Sequence, residues 1–286
     1  MHMTTAPELV CDACQARTLE RVCDIPLYVE NGNIQDTIVQ CKSCGTYMRL
    51  ADYTDDTVRT HFDVASYTSE VQEEKFRRAR SGFFGHVIGL ALSHLGKPAT
   101  QTTVLDIGPA YGHYVELFAQ RGAAVSVVEL VDHLRNRLAR RGYPAYKYID
   151  DVPAGQTFDI VSAIDSVYYV QRPASMLATI RQHIAPGGLL ILRVTNRTPV
   201  FNLMRRLGRS ISADRFGDAK FNYSFAGVSR LLERTGFAIE QTYLREPGKR
   251  HSSMITAMYY RASLLASILT GRKLTPGLTI IARPVR

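Results

Sequence analysis

The chain has 286 residues, 45% of them apolar and 21% charged, enough for one large domain plus a small one and in the balance of a globular protein. No apolar run approaches the ~18–20 residues of a membrane span, and the first residues lack the basic and apolar stretches of a secretory signal, so a cytoplasmic protein is expected. The net charge of +9 is lopsided: residues 1–70 sum to −6 and residues 71–286 to +15. A basic body suits an acidic substrate, a nucleic acid or an anionic surface; the alternative is an Arg-rich face in water.

Four of the five cysteines form two pairs, Cys11-x-x-Cys14 and Cys41-x-x-Cys44, with 26 residues between them. Each pair makes a tight turn that presents two thiolates, and two such turns close a tetrahedral Zn²⁺ site. Gly45 supplies the turn after the second pair. Residues 25–29 and 37–39 read as strands joined at Asn31-Gly32-Asn33. Residues 1–70 are therefore expected to form a zinc ribbon with a structural ion on Cys11, Cys14, Cys41 and Cys44. Disulfides and free thiols are the alternatives, and a reducing compartment disfavours disulfides. Four thiolates leave no open position for catalysis. So short a segment has little core, so the ion is expected to supply its folding free energy. Cys23 falls outside the pair spacing and is expected as a half-buried thiol. His61 lies too far along to be a ligand and is expected to be structural or on the surface.

Residues 71–95 read as a helix, broken near Gly82 or Gly85 and ended by Gly96 and Pro98. Residues 104–107 form a short apolar strand. Gly108 and Gly112 bracket a turn, residues 114–120 have helical spacing, Gly122 ends that helix, and residues 125–128 form the next strand, closing on Glu129. This is the first βαβ step of a nucleotide-binding parallel sheet. Gly108 lets the backbone turn sharply and lets a ligand approach. The helix beyond it points free N–H groups and a positive dipole end at that ligand. Glu129 is placed to accept hydrogen bonds from both hydroxyls of a ribose.

A helix follows at 132–141, stopped by Gly142, then strands at 145–149 and 158–164. A helix at 174–184 closes on Ala185-Pro186-Gly187-Gly188, and a strand at 189–194 follows. The last part reads as helix 228–235, strand 237–244, helix 253–269 and strand 278–283. Alternation of this kind predicts an α/β fold over residues 71–286, a doubly wound, mostly parallel seven-stranded sheet with an added antiparallel edge strand.

At these residues the chain resembles class I S-adenosylmethionine-dependent methyltransferases, over about residues 75–286. Val104-Leu105-Asp106-Ile107-Gly108-Pro109-Ala110-Tyr111-Gly112 is similar to that family's Asp-x-Gly-x-Gly-x-Gly loop, with Ala110 in place of the middle glycine. Glu129 stands where the family has its ribose-binding acid. Phe158-Asp159, the Pro186-Gly187-Gly188 turn and residues 225–237 match its later landmarks. Val167-Tyr168-Tyr169-Val170 stands where the family often has Val-Leu-Glu-His, so the histidine base frequently found there is absent. The ribbon, followed by Phe62 to Tyr67, resembles a subgroup with an N-terminal zinc knuckle whose members serve glycan, glycolipid and specialised-metabolite pathways. Its sugar-nucleotide C-methyltransferases run further at the C-terminus, so a sugar nucleotide is not specified. A second resemblance is to zinc-containing rRNA guanine methyltransferases, whose fourth ligand is usually histidine where Cys44 stands here.

The resemblance implies S-adenosylmethionine as cofactor. Asp106, Ile107, Gly108, Pro109, Ala110, Tyr111 and Gly112 would hold its methionine end and ribose, Glu129 the ribose diol, and Leu130 the adenine. Asp150 lies in the short stretch that marks the adenine site. Asp165 and Ser166 leave the 158–164 strand beside the switch point, Asp165 or its backbone near the methionine amino group, and Tyr67 would close over the cofactor. Methyl transfer from a sulfonium mainly needs alignment and, for some acceptors, a base. Tyr168, Tyr169 and His113 are the candidates facing the acceptor. The alternative for the tyrosines is packing at the next helix, and for His113 a packed helix turn.

Arg193, Arg197, Arg205, Arg206, Arg209 and Arg215 suit an anionic acceptor. The favoured alternative is an amphipathic helix with Phe201, Leu203, Met204 and Leu207 packed. The helix at 253–269 carries Met254, Ile255, Met258, Leu264, Leu265 and Ile268, and packing is its expected role; a lid, a dimer face or a membrane-surface helix are the alternatives. The leading function is a small-molecule methyltransferase. An RNA methyltransferase is disfavoured because the ribbon carries −6, so no nucleic-acid partner is expected. A zinc-ribbon interaction protein that has lost activity is the third reading.

Overall fold

The structure, a computed structural model, describes residues 10–29, 32–62, 69–248 and 253–285. Its N-terminal part is a three-stranded antiparallel meander, β1 (Leu19–Val29), β2 (Gly32–Cys41) and β3 (Tyr47–Arg49). The β1/β2 hairpin is longer than the two short runs of the sequence reading, because ten register pairs link it from Leu19↔Cys41 to Val29↔Gly32. Cys23 sits at the bulge of β1, half-buried, its Sγ 3.6 Å from the Ile211 carbonyl.

Helix α1 (Asp55–Phe62) leads to the long α2 (Glu70–Leu95). α2 runs unbroken through Gly82 and Gly85. Gly82 is a close approach instead of a break: a Cβ there would lie 2.9 Å from the Gly248 backbone. Gly96, at φ +71°, caps α2 and donates to the Leu92 carbonyl.

The chain then alternates through β4 (Thr103–Ile107), α3 (His113–Ala119), β5 (Ala124–Val128), α4 (Asp132–Arg140), β6 (Ala145–Tyr146), β7 (Phe158–Ile164), α5 (Pro173–Gln182) and β8 (Ile184–Thr195). After these come α6 (Thr198–Arg206), α7 (Ala213–Phe216), β9 (Phe221–Asn222), α8 (Phe225–Arg234), β10 (Phe237–Tyr243), α9 (Met254–Thr270) and β11 (Gly277–Pro284). Seven strands form one sheet in the order β10-β11-β8-β7-β4-β5-β6. Five are parallel. β11 runs antiparallel between β8 and β10, so it is inserted beside the edge strand and is not itself the edge. β6 is shorter than expected because residues 149–151 turn into a 3-10 turn, closed by the Tyr148 N–H on Asp151. α5 stops at Gln182 because Ile184 already pairs with Phe158.

Successive strand residues point to opposite faces. Leu105, Val161, Leu190 and Leu192 pack under α5 and α8, with Leu177, Ile180, Val228 and Leu231. Val104, Val127, Ile160 and Ile191 pack under α2 and α3, with Phe83, Val87, Ile88 and Phe118. The ribbon joins the first of these cores. β3 pairs with β9 (Tyr47↔Asn222), and Cys11, Cys41 and Cys44 are buried with Tyr223, Val228 and Leu231.

Two apolar stripes depart from the expectation of packing. In α6, Phe201 and Met204 are buried, but Leu203 and Leu207 beyond it are exposed. In α9 the buried positions are Ser263 and Ser267, while Met254, Ile255, Met258, Leu265, Ile268 and Leu269 are exposed. Of the expected packed set, Leu264 alone is half-buried. No helix among the described residues is long and apolar enough to cross a membrane.

Candidate active site and metal centre

The sulfurs of Cys11, Cys14, Cys41 and Cys44 all lie within 4.8 Å of one another. A tetrahedral Zn²⁺ with bonds of about 2.3 Å needs sulfurs about 3.8 Å apart; Cys11–Cys44 are 3.7 Å apart and Cys14–Cys41 3.6 Å. The donor set and its spacing fit the ion. Both knuckles close alike: Gln15 N–H donates to the Cys11 carbonyl and Gly45 N–H to the Cys41 carbonyl, each at 2.7 Å. Residues 15 and 45 both take left-handed backbone, φ +61° and +81°. The sequence signals this turn only at Gly45. The hydrogen bond from Cys11 lowers the Cys44 thiol, and the same contact with burial raises Cys11. The centre is fastened to α8, where Arg234 donates to the Asp12 and Ala13 carbonyls and Ser224 to the Cys44 carbonyl.

At the carboxyl ends of β4, β5 and β7 lies a cavity of about 650 Å³. Gly108, at φ +72°, makes its first wall; a Cβ there would lie 2.7 Å from Ser166 Cβ, so only glycine fits. Glu129 directly follows β5 and is 5% exposed. Its Oε2 accepts from the Ala110 N–H and its Oε1 from the Val131 N–H, both at 3.0 Å. Burial raises the pKa of Glu129, against the pull of these two donors. Both oxygens are thus oriented while keeping lone pairs toward the cavity. The buried Ser166 hydroxyl, also on the wall, has no hydrogen-bond partner among the described residues. An oriented carboxylate, an unpartnered hydroxyl and apolar walls from Leu130, Val131, Leu134 and Ile149 fit a nucleoside-bearing ligand.

Asp106, below the turn, is 3% exposed, and its Oδ1 accepts from Ser162 Oγ at 2.6 Å. Burial pushes its pKa up to about 7. Asp165 lines the cavity at φ +60°, and its carboxylate is ion-paired to Arg80 and to Arg193. Arg193 Nε also donates to Glu246 Oε1 at 2.8 Å. Burial works against the charge of Arg193, but Asp165 and Glu246 more than offset it and raise the pKa. Two guanidinium groups thus already engage the Asp165 carboxylate. They also place Arg193 in a buried ion-pair chain, not on the face of an anion-binding helix.

Tyr168 and Tyr169 line the far wall, 4.8 Å apart between ring centroids. Burial raises Tyr168 well above the usual phenol range, so its hydroxyl stays protonated. The roof comes from Tyr53, Asp55, Val58 and Phe62. It is held by Tyr148 Oη on Asp55 (2.6 Å), by the Tyr53 N–H on Gln171 Oε1 (2.7 Å) and by Gln171 Nε2 on Asp52 (2.8 Å).

Of the residues singled out in the sequence, Asp106, Ile107, Gly108, Pro109, Ala110, Glu129, Leu130, Asp150, Asp165, Ser166, Tyr168 and Tyr169 share this cavity. Tyr111, Gly112 and His113 do not line it. Gly112, at φ +81°, caps α3 with no room for a Cβ beside Leu138. His113 is 2% exposed, stacked on Tyr111 and tilted on Phe76, and burial lowers its pKa. It therefore packs as a neutral ring behind the loop. Tyr67 and the side chain of His61 lie outside the described residues. The sequence reading missed Phe76, Arg80 and Phe84 of α2 and the roof residues Tyr53, Val58 and Phe62. No local motif marks them.

A family profile described as a methyltransferase domain matches residues 76–242. Among curated proteins, the chain is similar to the ubiquinone biosynthesis O-methyltransferase of Pseudomonas paraeruginosa, 31% identical over 117 residues that make up 37% of this chain and 50% of the relative. It is also similar to that of Leptothrix cholodnii, 30% identical over 117 residues, 37% of this chain and 49% of the relative. The chain spans about half the length of the curated relatives it matches. Among solved structures it is similar to the 1,6-didemethyltoxoflavin-N1-methyltransferase of Burkholderia thailandensis, crystallised with 1,6-didemethyltoxoflavin and S-adenosylhomocysteine. There the TM-score is 0.55 at 17% identity, covering 92% of this chain and 100% of the other. It is likewise similar to the magnesium protoporphyrin IX methyltransferase of Synechocystis PCC 6803 with bound S-adenosylhomocysteine. The TM-score is 0.51 at 15% identity, covering 80% of this chain and 98% of the other. At these identities the likeness is one of fold.

Proposed function

The chain belongs to the methyltransferase-domain family, and from that premise we propose that it transfers the methyl group of S-adenosylmethionine to a small-molecule acceptor of a glycan, glycolipid or specialised-metabolite pathway. The observation that carries this reading is Glu129, a buried carboxylate whose two oxygens are fixed by backbone N–H groups at the wall of the cavity.

S-adenosylmethionine held there would supply a methyl group activated on a sulfonium, passed in line to the acceptor as the carbon–sulfur bond breaks and the thioether leaves. Glu129 would accept the two ribose hydroxyls, Leu130 and Ile149 would sandwich the adenine with Asp150 at its edge, and Ser166 with the turn at Gly108–Ala110 would hold the amino-acid end. The chain's task is alignment and exclusion of water. The roof at Tyr53–Phe62 excludes water. Tyr168, protonated throughout the neutral range, donates a hydrogen bond to orient the acceptor and does not take its proton. Tyr169, packed edge-on against Phe62 at 5.4 Å, shapes the acceptor's pocket. A cavity of about 650 Å³ closed by such a roof admits a small acceptor beside the cofactor more readily than a folded RNA.

The test is titration calorimetry with S-adenosylmethionine and S-adenosylhomocysteine. Wild type is expected to bind both. Glu129→Ala is expected to lose about 10²-fold or more in affinity, since two hydrogen bonds to a charged group and the loop's own anchor go together. Absence of binding by wild type, or equal affinity in the variant, overturns the reading.

A further inference from the structure

We propose that α9 is an interfacial helix that seats the protein on an anionic lipid surface. This goes beyond the methyl-transfer reading and does not depend on it. The helix is amphipathic in the inverted sense. Toward the protein it turns Tyr260, Ser263, Leu264 and Ser267; its buried residues are the two serines. Their hydroxyls are satisfied at home: Ser263 Oγ donates to the Tyr260 carbonyl (2.8 Å) and Ser267 Oγ to the Ser263 carbonyl (2.7 Å). Outward it turns Met254 (79% exposed), Met258 (63%), Leu265 (57%), Ile268 (61%) and Leu269 (76%), a stripe at the i, i+4, i+7 spacing of one helix face. A helix bathed in water has the reverse arrangement, and a contiguous apolar face of this size marks an interaction surface.

Charge selects the occupant. From residue 247 to 276, around the helix, the sequence has five Lys or Arg and no Asp or Glu. Arg261 is exposed on the apolar face itself, and Arg272 and Lys273 follow its C-terminal end. Apolar side chains that enter the acyl boundary, among guanidinium groups that reach the headgroups along their aliphatic stems, are the pattern of a helix lying in an anionic interface. The helix is also fixed to the body in a defined pose. Tyr260 Oη accepts the Glu246 N–H (2.7 Å) and donates to the Leu244 carbonyl (3.0 Å), next to the Arg193–Asp165 pair at the cavity.

The experiment is co-sedimentation of the full chain with vesicles of phosphatidylcholine alone and with about 30 mol% phosphatidylglycerol, with light scattering for mass. Wild type is expected to bind the anionic vesicles, to bind the neutral ones far less, and to be released by salt. Met258→Asp and Leu265→Asp, at exposed positions that leave the melting temperature unchanged, are each expected to lower partitioning about tenfold or more. Failure of wild type to bind anionic vesicles, or full binding by both variants, overturns the proposal. A wild-type dimer that Leu265→Asp makes monomeric, with no vesicle binding, also overturns it and makes the face a contact between copies of the chain. Binding of S-adenosylmethionine by Leu265→Asp is expected to match wild type, which separates this result from failure of the methyl-transfer reading.

Discussion

At the ribbon, two knuckles bring four sulfurs within 4.8 Å of one another and a third contact layer, from α8, covers them. At the cavity, wall groups come from many segments between Tyr53 and Thr179, and several retain unused capacity: Ser166 has no partner among the described residues, and Glu129 holds lone pairs beyond its two backbone donors. The difference separates a centre that completes the fold from a cavity lined by oriented polar groups. A closed set of metal ligands leaves nothing for chemistry, whereas oriented polar groups with unused lone pairs or protons are what a binding site requires.

Removing the metal is the most forceful way to break this comparison. Zn²⁺ held by four thiolates would contribute folding free energy outright. Because Cys11, Cys41 and Cys44 are buried in the same core as Val228 and Leu231, the loss is not confined to the ribbon. Chelation or Cys41→Ser is expected to lower the melting temperature by about 10 °C or more, with about one zinc per chain found by elemental analysis of native protein. Native protein that carries no metal, or a melt unmoved by chelation and by the substitution, would show the sulfur cluster to be inert.

The same contrast explains how much could be read in advance. Both centres announce themselves where chemistry is set by local spacing. The two Cys-x-x-Cys pairs bring their sulfurs together, and Gly108 and Glu129, each just past its strand, lie on the cavity wall. What was illegible joins residues distant in the chain. The pairing of Tyr47 with Asn222 ties the ribbon to the body with no signal in either two- or three-residue strand. Arg193 looked like one of six surface arginines, and its burial between Asp165 and Glu246 depends on where β11 is inserted. Periodicity in α9 reveals a stripe but not which side faces the protein, and the serine side does. His113 follows the glycine turn by one residue, yet α3 carries it to the back of the loop against Phe76.

A second and smaller effect sharpens the cavity side. Asp106 is buried against Ser162 with a pKa of about 7, above its ordinary 3.8, so the folded state holds a proton that the unfolded state releases between those values. Its contribution to stability is present in full below about pH 3.8 and is lost as pH rises through about 7. Asp106→Asn keeps an acceptor for Ser162 and removes the titration. The stability of wild type minus that of the variant is therefore expected to fall on going from about pH 4 to pH 8, by on the order of 3 kcal/mol. Denaturant melts at both pH values measure it. A pH-independent difference would mean that Asp106 is not the buried acid described here.

The smallest effect concerns Ala110, the one residue of the glycine loop that departs from the pattern. It takes φ +49°, a left-handed conformation that costs an alanine about 1–2 kcal/mol relative to glycine. It is held there by its N–H bond to Glu129 Oε2 at 3.0 Å. The loop therefore keeps the backbone that glycine would give it, with the methyl group as the only addition. Ala110→Gly relieves the strain but also loosens the unfolded chain, by about 0.4–1 kcal/mol in the opposite sense. The net is a gain of about 0–1.6 kcal/mol, so the melting temperature is expected to rise by no more than about 5 °C. Affinity for S-adenosylmethionine is expected to stay within about threefold of wild type, because the donor that orients Glu129 is backbone and survives the change. A large gain in affinity on restoring glycine would instead mean that the alanine methyl obstructs the ligand, and that the cavity as it stands is shaped against the cofactor its other groups fit.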